Sequence, residues 1–369
     1  KIFRDKEIEI TCLMEQGSAD PTAENSAFAE HQINDDRLRM MFVCCHPRVP
    51  QEAQVALALK TLCGFSAAEI ARAFLTSEAA IAKRLTRAKQ KIRAARVPFE
   101  IPAGEELTQR LDGVLQTLYL LFNEGYKASV GEQLIREELC REAIRLGSLL
   151  AEHPTGSRPR THAVLALMLL NGARLRSRID PDGNILRLRE QDRSSWDQPM
   201  IARGLYHFMQ STAGDELSEY HLQAGITACH CAAKNYDSTD WPRILSLYDR
   251  LIEMDDSPVV ALNRAVAVAN VHGARAGIEA VEAIQNREQL NSYSLLYVVL
   301  GEFEAHLSNR QAAINYFRKS LELATIQSEQ MFLSKKLQEL GDPRESGGST
   351  GRASSAAEKS SVHPSRSSG

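Results

Sequence analysis

From about Glu106 to Leu340 apolar side chains recur at three- and four-residue intervals in one segment after another. That spacing places them on one face of an α-helix, and few other folds can use it. The segments run over 111–122, 134–150, 162–175, 201–209, 222–233, 244–254, 259–271, 278–284, 293–307 and 312–323, divided by short Gly, Pro, Asp or Ser breaks. Each stripe must be covered by a neighbouring helix, so the pattern predicts an all-α protein. The exception is RIDPDGNILRL over 178–188, where Asp182-Gly183 between β-prone residues predicts a small hairpin or ordered loop.

An internal repeat appears near the end. Tyr297, Leu300, Gly301, Ala313 and Phe317 have the spacing of the residues that mark a tetratricopeptide helix pair, with Thr325 in place of the closing proline. Thirty-six residues upstream Ala265, Gly277 and Val281 hold the equivalent small, small and apolar positions. Small residues there predict close helix crossings, Ala265 with Gly277 and Gly301 with Ala313, in an α-solenoid.

Composition excludes several classes. The longest apolar run, 163–170, is far short of the roughly 20 residues that span a bilayer. No signal peptide is expected, and seven cysteines without a repeated spacing fit a reducing cytoplasm. Cys44-Cys45-His46 and Cys229-His230-Cys231 contain metal-ligating types, but side chains one or two apart on a helix diverge, and C-x-x-C spacing is missing. Buried structural thiols are the expectation, with no metal and no cofactor.

The net charge of −3 hides an asymmetry. KRLTRAKQKIRAAR, over 83–96, carries seven positive charges and no negative ones. Such a stripe inside an acidic chain is the footprint of a nucleic-acid contact, and also of a solvated helix face. The residues before it decide between the two. Val55, Leu59 and Leu62 form an apolar stripe ended by Gly64, and Ser66-Ala67-Ala68-Glu69 is a capping box that starts a second helix. That helix turns Ile70 and Phe74 inward with Ala71 at the crossing. After Leu75-Thr76 a third begins with Ser77 as N-cap and Glu78 in its first turn, burying Ile81, Leu85 and Ile92. A short helix, a tight turn and a basic helix with an exposed N-terminus make a helix-turn-helix for the major groove.

These residues are recognisable as a family pattern. GFSAAEIARAFLTSEAAIAKRLTRAKQKIR (64–93) resembles the region-4 helix-turn-helix of extracytoplasmic-function sigma factors, which reads the promoter −35 element. DDRLRMMFVCCHP (35–47), NEGY (123–126), DRSSWD (192–197) and SPVVALNRAVAVA (257–269) resemble the subgroup with a C-terminal tetratricopeptide-like extension. The resemblance implies a cytoplasmic bacterial initiation factor whose partners are promoter DNA and RNA polymerase core, with a protein or ligand partner for the extension. The family's region 2 belongs before region 4, and it is expected to be missing from the chain as given. Carried over by position, Ser77, Glu78, Ala79 and Ala80 would face base edges, and Lys83, Arg84, Arg87 and Lys91 phosphates or guanines. Val55, Leu59 and Leu62 are expected in the core.

The expected organisation is a linker over 1–36, the helix-turn-helix domain over 37–97, a proline-containing hinge over 98–105, the extension over 106–340 and a disordered Ser/Gly-rich tail over 341–369. Catalysis is not expected. Glu124, Asp192, Asp197, His153, His162, His207 and His221 supply acid or base groups, but no spacing assembles a nucleophile with its base, a phosphate loop or a metal triad. The alternative function is a helical-repeat scaffold for a peptide or small ligand, which would show no salt-sensitive DNA binding.

Overall fold

The computed structural model describes residues 35–341, apart from 75, 99–101, 103, 129–134, 155 and 182–183. The expectations for 1–34 and 342–369, for Leu75 and for the Asp182-Gly183 turn lie outside the described residues. Fifteen α-helices and no strand occur among those described. The nearest approach to a hairpin is one antiparallel bridge, Ile179 to Ile185.

The first four helices are α1 (Asp36–Cys44), α2 (Gln51–Leu62), α3 (Ala67–Ala73) and α4 (Glu78–Ala95). Val55, Leu59 and Leu62 are buried, with Ile70, Ala71, Ile81 and Leu85, while Phe74 and Ile92 pack half-buried against them. The extension comprises α5 (Gly104–Tyr126), α6 (Glu137–Glu152), α7 (Pro159–Gly172), α8 (Gln198–Ser211), α9 (Glu219–Ala232), α10 (Trp241–Met254), α11 (Pro258–His272), α12 (Ala274–Glu282), α13 (Ser294–His306), α14 (Arg310–Leu323) and α15 (Gln327–Glu339). From α9 onward each helix packs on its chain neighbours, as a solenoid requires.

The repeat is regular in its starts: α11 and α13 begin 36 residues apart, as do α12 and α14. The crossings differ from those the sequence predicts. A Cβ on Gly277 would stand 2.6 Å from Cβ of Ala269, and one on Gly301 2.9 Å from the Phe317 ring. Each contact lies one helical turn beyond the expected Ala265 or Ala313. The turns set this register. Gly277 and Ala269 are each four residues from Gly273, at φ +92, and Gly301 and Phe317 each eight from Asn309, so residues equidistant from each turn face one another. The last helices fold back on earlier parts of the chain through Lys127–Glu329 (2.8 Å) and Arg187–Glu302 (2.7 Å), and Lys336 of α15 also reaches Glu302 (3.5 Å).

The core does not break where the prolines suggest a hinge. One buried cluster runs from Leu38 through α2, α3 and α4 into α5, α6 and α7. Glycine makes that fusion close: a Cβ on Gly113 of α5 would stand 2.7 Å from the Gln54 amide oxygen and 3.0 Å from Sγ of Cys45. The hinge expected over 98–105 therefore does not divide the core, which the helix-turn-helix shares with α5. Proline decides where a helix stops, but it does not decide which faces meet afterwards.

Candidate nucleic-acid interface

The turn between α2 and α3 is built around Gly64, whose φ of +70 lies in the left-handed region that favours glycine. Both arms of the capping box form: Ser66 Oγ accepts from the Glu69 amide at 3.1 Å, and Glu69 Oε2 from the Ser66 amide at 2.6 Å. Ser77 Oγ accepts from the Ala80 amide at 3.2 Å and caps α4. Glu78 sits in the first turn, where a negative charge suits the helix dipole.

Helix α4 divides lengthwise. Ile81, Leu85 and Ala88 are buried, and Ser77, Glu78, Ala79, Lys83, Arg87 and Lys91 are exposed, with Ala80 half-buried. Lys83, Arg87 and Lys91 fall at i, i+4 and i+8, so they form one line along the outer surface. None of the three pairs with a carboxylate among the described residues. Arg84 differs: its Nη1 lies 2.8 Å from Glu52 Oε2 at the start of α2. That pair occupies one guanidinium the sequence places on DNA, and no local pattern announces it, because the partners are joined only by the fold. Lys89 and Arg93 add exposed charge at the C-terminal part of α4.

Sequence reasoning also missed how the extension holds the motif. Arg136, just before α6, reaches Glu69 (3.3 Å), Glu124 of the NEGY run (3.8 Å) and Glu138 (3.5 Å). Partial burial raises the Glu69 pKa, but the Ser66 hydrogen bonds and the Arg136 and Arg72 charges outweigh it and hold the carboxyl below its ordinary value. Glu142 of α6 binds Arg37 (2.7 Å) and Arg145 (2.8 Å), and Arg145 also binds Asp35 (2.7 Å). Arg37 and Glu142 are 105 residues apart, Arg145 and Asp35 110, and Arg136 and Glu69 67, which hides them from any spacing rule.

The motifs outside the helix-turn-helix have structural work. The NEGY run closes α5, which ends at Tyr126, and a Cβ on Gly125 would stand 2.7 Å from the Cys140 amide nitrogen. Asp192 accepts from the Ser194 amide and Asp197 from the Met200 amide, both at 2.9 Å, so each caps a helical start. His221 is buried, with Nδ1 2.8 Å from Ser218 Oγ and Nε2 3.1 Å from the Ser211 carbonyl. His162 and His207 pair through Nδ1 atoms 3.0 Å apart. His153 lies at the end of α6, where its amide bonds to the Leu150 carbonyl. Burial pushes the Cys45 and Cys63 thiols up to about 12, where they stay protonated in the core.

Comparison with known proteins agrees with this geometry. Residues 39–92 match the model of sigma-70, region 4, the stretch that spans most of α1 through α4. The chain is therefore sigma-factor-like, with a helix-turn-helix region 4 followed by a helical region; this supports a sigma-factor role in transcription initiation and implies contact with DNA and RNA polymerase core. Residues 110–212 match a family of unknown function, DUF6596. An uncharacterized protein of Rhizobium meliloti (strain 1021) is 39% identical over 307 residues, covering 83% of this chain and 72% of that protein. The chain belongs to the family of that Rhizobium protein. No solved structure matches. Among the described residues no helix is long and apolar enough to cross a membrane.

Proposed function

We propose that this protein is a sigma factor of the extracytoplasmic-function subgroup with a tetratricopeptide-like extension. In this reading α4 enters the major groove of the promoter −35 element and the extension serves as a regulatory or interaction module, without catalysis. The observation that carries it is the line of Lys83, Arg87 and Lys91 on the open side of a helix whose capped N-terminus is also exposed. Ser77, Glu78, Ala79 and Ala80 then lie at the end that meets base edges, and the three cations flank the phosphates. Partner DNA is tested by anisotropy titration of the full chain with promoter and scrambled duplexes at several salt concentrations. Binding that falls with salt and prefers the promoter is expected; equal, salt-insensitive binding would overturn the reading.

A helical scaffold is the second reading, favoured by a cleft of about 640 Å³ between α8, α9 and α10. Phe208, Leu222 and Leu247 contribute apolar surface to it, and Asp240, Arg243 and Arg250 contribute charge. The same titration separates the two, since a scaffold has no reason to prefer a promoter.

A further inference from the structure

Three arginines gather where α5, α7 and α9 end, and no acid among the described residues pairs with them. Arg174 comes just after α7, Arg178 closes the 3-10 turn Leu175–Arg178, and Arg193 opens the 3-10 turn Arg193–Ser195. Their guanidinium carbons share two rings. Arg178 lies 3.8 Å and Arg174 5.9 Å from the Tyr126 centroid, while Arg174 lies 5.8 Å and Arg193 5.3 Å from the Trp196 centroid. Arg174 is thus between two aromatic rings and two like charges. None of the three pairs with a carboxylate among the described residues.

Helix ends account for two of them. Arg178 donates to the Tyr126 carbonyl at the end of α5. Arg193 donates to the carbonyls of His230 (2.8 Å) and Ala233 (3.0 Å) at the end of α9, and to Thr239 Oγ1 (2.9 Å). These carbonyls carry the negative end of each helix dipole, so the two guanidiniums are at home. Arg174 has no such bond: among the described residues its guanidinium meets no helix-end carbonyl and lies over the two rings. Around it, buried nitrogens lack partners: Arg174 Nε itself, Arg193 Nε, the Trp196 indole Nε1 and His230 Nδ1. Trp196 is 3% exposed and Arg193 7%. Burial, reinforced by Arg174 and Arg193, pushes His230 down to about 3, so its ring is neutral. Unsatisfied buried donors and crowded like charge are each unfavourable, and one bound anion would relieve both.

We propose that Arg174, flanked by Arg178 and Arg193 and set over the Tyr126 and Trp196 rings, anchors a binding site for a small ligand bearing an oxyanion, a phosphate or a carboxylate. The planar guanidinium fork matches two oxygens of such a group, and the Tyr126 and Trp196 rings hold the fork in place. The site uses NEGY and DRSSWD residues that the DNA contact leaves unexplained, and it rests on no part of the promoter reading.

The test is thermal melting of the full chain with inorganic phosphate, and separately with succinate, each against sodium chloride at matched ionic strength. A saturable rise in melting temperature beyond that in chloride is expected, and the stronger of the two anions identifies the oxyanion. Arg174→Gln should abolish the rise while melting no lower than wild type without anion, because removing a crowded charge relieves the site. Arg176→Gln, an exposed neighbour outside the cluster, should keep the rise. If Arg174→Gln does not fold, Arg174→Lys is read instead; it keeps the charge, loses the fork, and should raise the half-saturating anion concentration by an order of magnitude. Wild type responding to both anions as to chloride, or an unchanged response in the Arg174 variant, overturns the proposal.

Discussion

The Arg136 guanidinium stands 3.3 Å from the Glu69 carboxylate, so a residue at the entrance to α6 holds the box that starts the first helix of the helix-turn-helix. With Arg37–Glu142 and Arg145–Asp35 it ties α3 and the start of α1 to α6 and the residue before it.

Glu69→Ala removes one arm of the capping box together with the Arg136 contact, and is expected to cost about 1–2 kcal/mol in urea unfolding. Arg136→Ala should cost less. A double-mutant cycle should show coupling of roughly 0.2–1 kcal/mol, the range for a partly exposed pair. Zero coupling would show that the pair is incidental.

Acid should loosen this junction. Glu142 is held below its ordinary pKa first by the Arg145 hydrogen bond and, against partial burial, by Arg37. A carboxylate whose folded pKa is depressed contributes stability that is present above its unfolded value, near 4.5, and lost as pH falls through the folded value. Melting temperature should therefore drop more steeply below about pH 4.5 in wild type than in Glu142→Gln. Parallel curves would show that Glu142 does not set the acid sensitivity.

On DNA, Lys83→Ala, Arg87→Ala and Lys91→Ala should each weaken binding and reduce the slope of log affinity against log salt by about 0.9 for each phosphate no longer neutralised. Arg84→Ala should do less, since Glu52 already holds that guanidinium at 2.8 Å. Glu52→Gln should raise affinity by freeing it. Anisotropy titrations at four salt concentrations read all five variants, and an Arg84 effect equal to that of Arg87 would place Arg84 on DNA despite its partner.

Two glycines test how far damage travels. Gly113→Leu forces a side chain against Gln54 and Cys45, an overpacking expected to cost about 1–3 kcal/mol, and hydrogen exchange should rise in α1 and α2 as well as α5. Gly301→Leu meets the Phe317 ring instead and should expose α13 and α14 while leaving protection over 51–93 intact. Loss of protection over 51–93 in the second variant would mean that the whole chain opens as one unit.

Local chemistry settled much of this protein before any fold was known. The capping box at Ser66 and Glu69, the N-cap at Ser77, the buried line of Ile81 and Leu85 and the run of cations over 83–96 depend on neighbours within about one helical turn, so the sequence by itself determined the helix-turn-helix and the helical character of the extension. The 36-residue repeat was legible as a recurrence of small and apolar residues, but not its register, which the turns at Gly273 and Asn309 set. What only the tertiary structure decided involves partners far apart in the chain. Glu52 takes Arg84, Arg136 takes Glu69, Gly113 admits Cys45, and Arg174 is gathered with Arg178 and Arg193 around two rings. An apolar stripe states that a helix must be covered without naming what covers it. Helix packing makes that choice, and with it decides which charges are paired and which are left open.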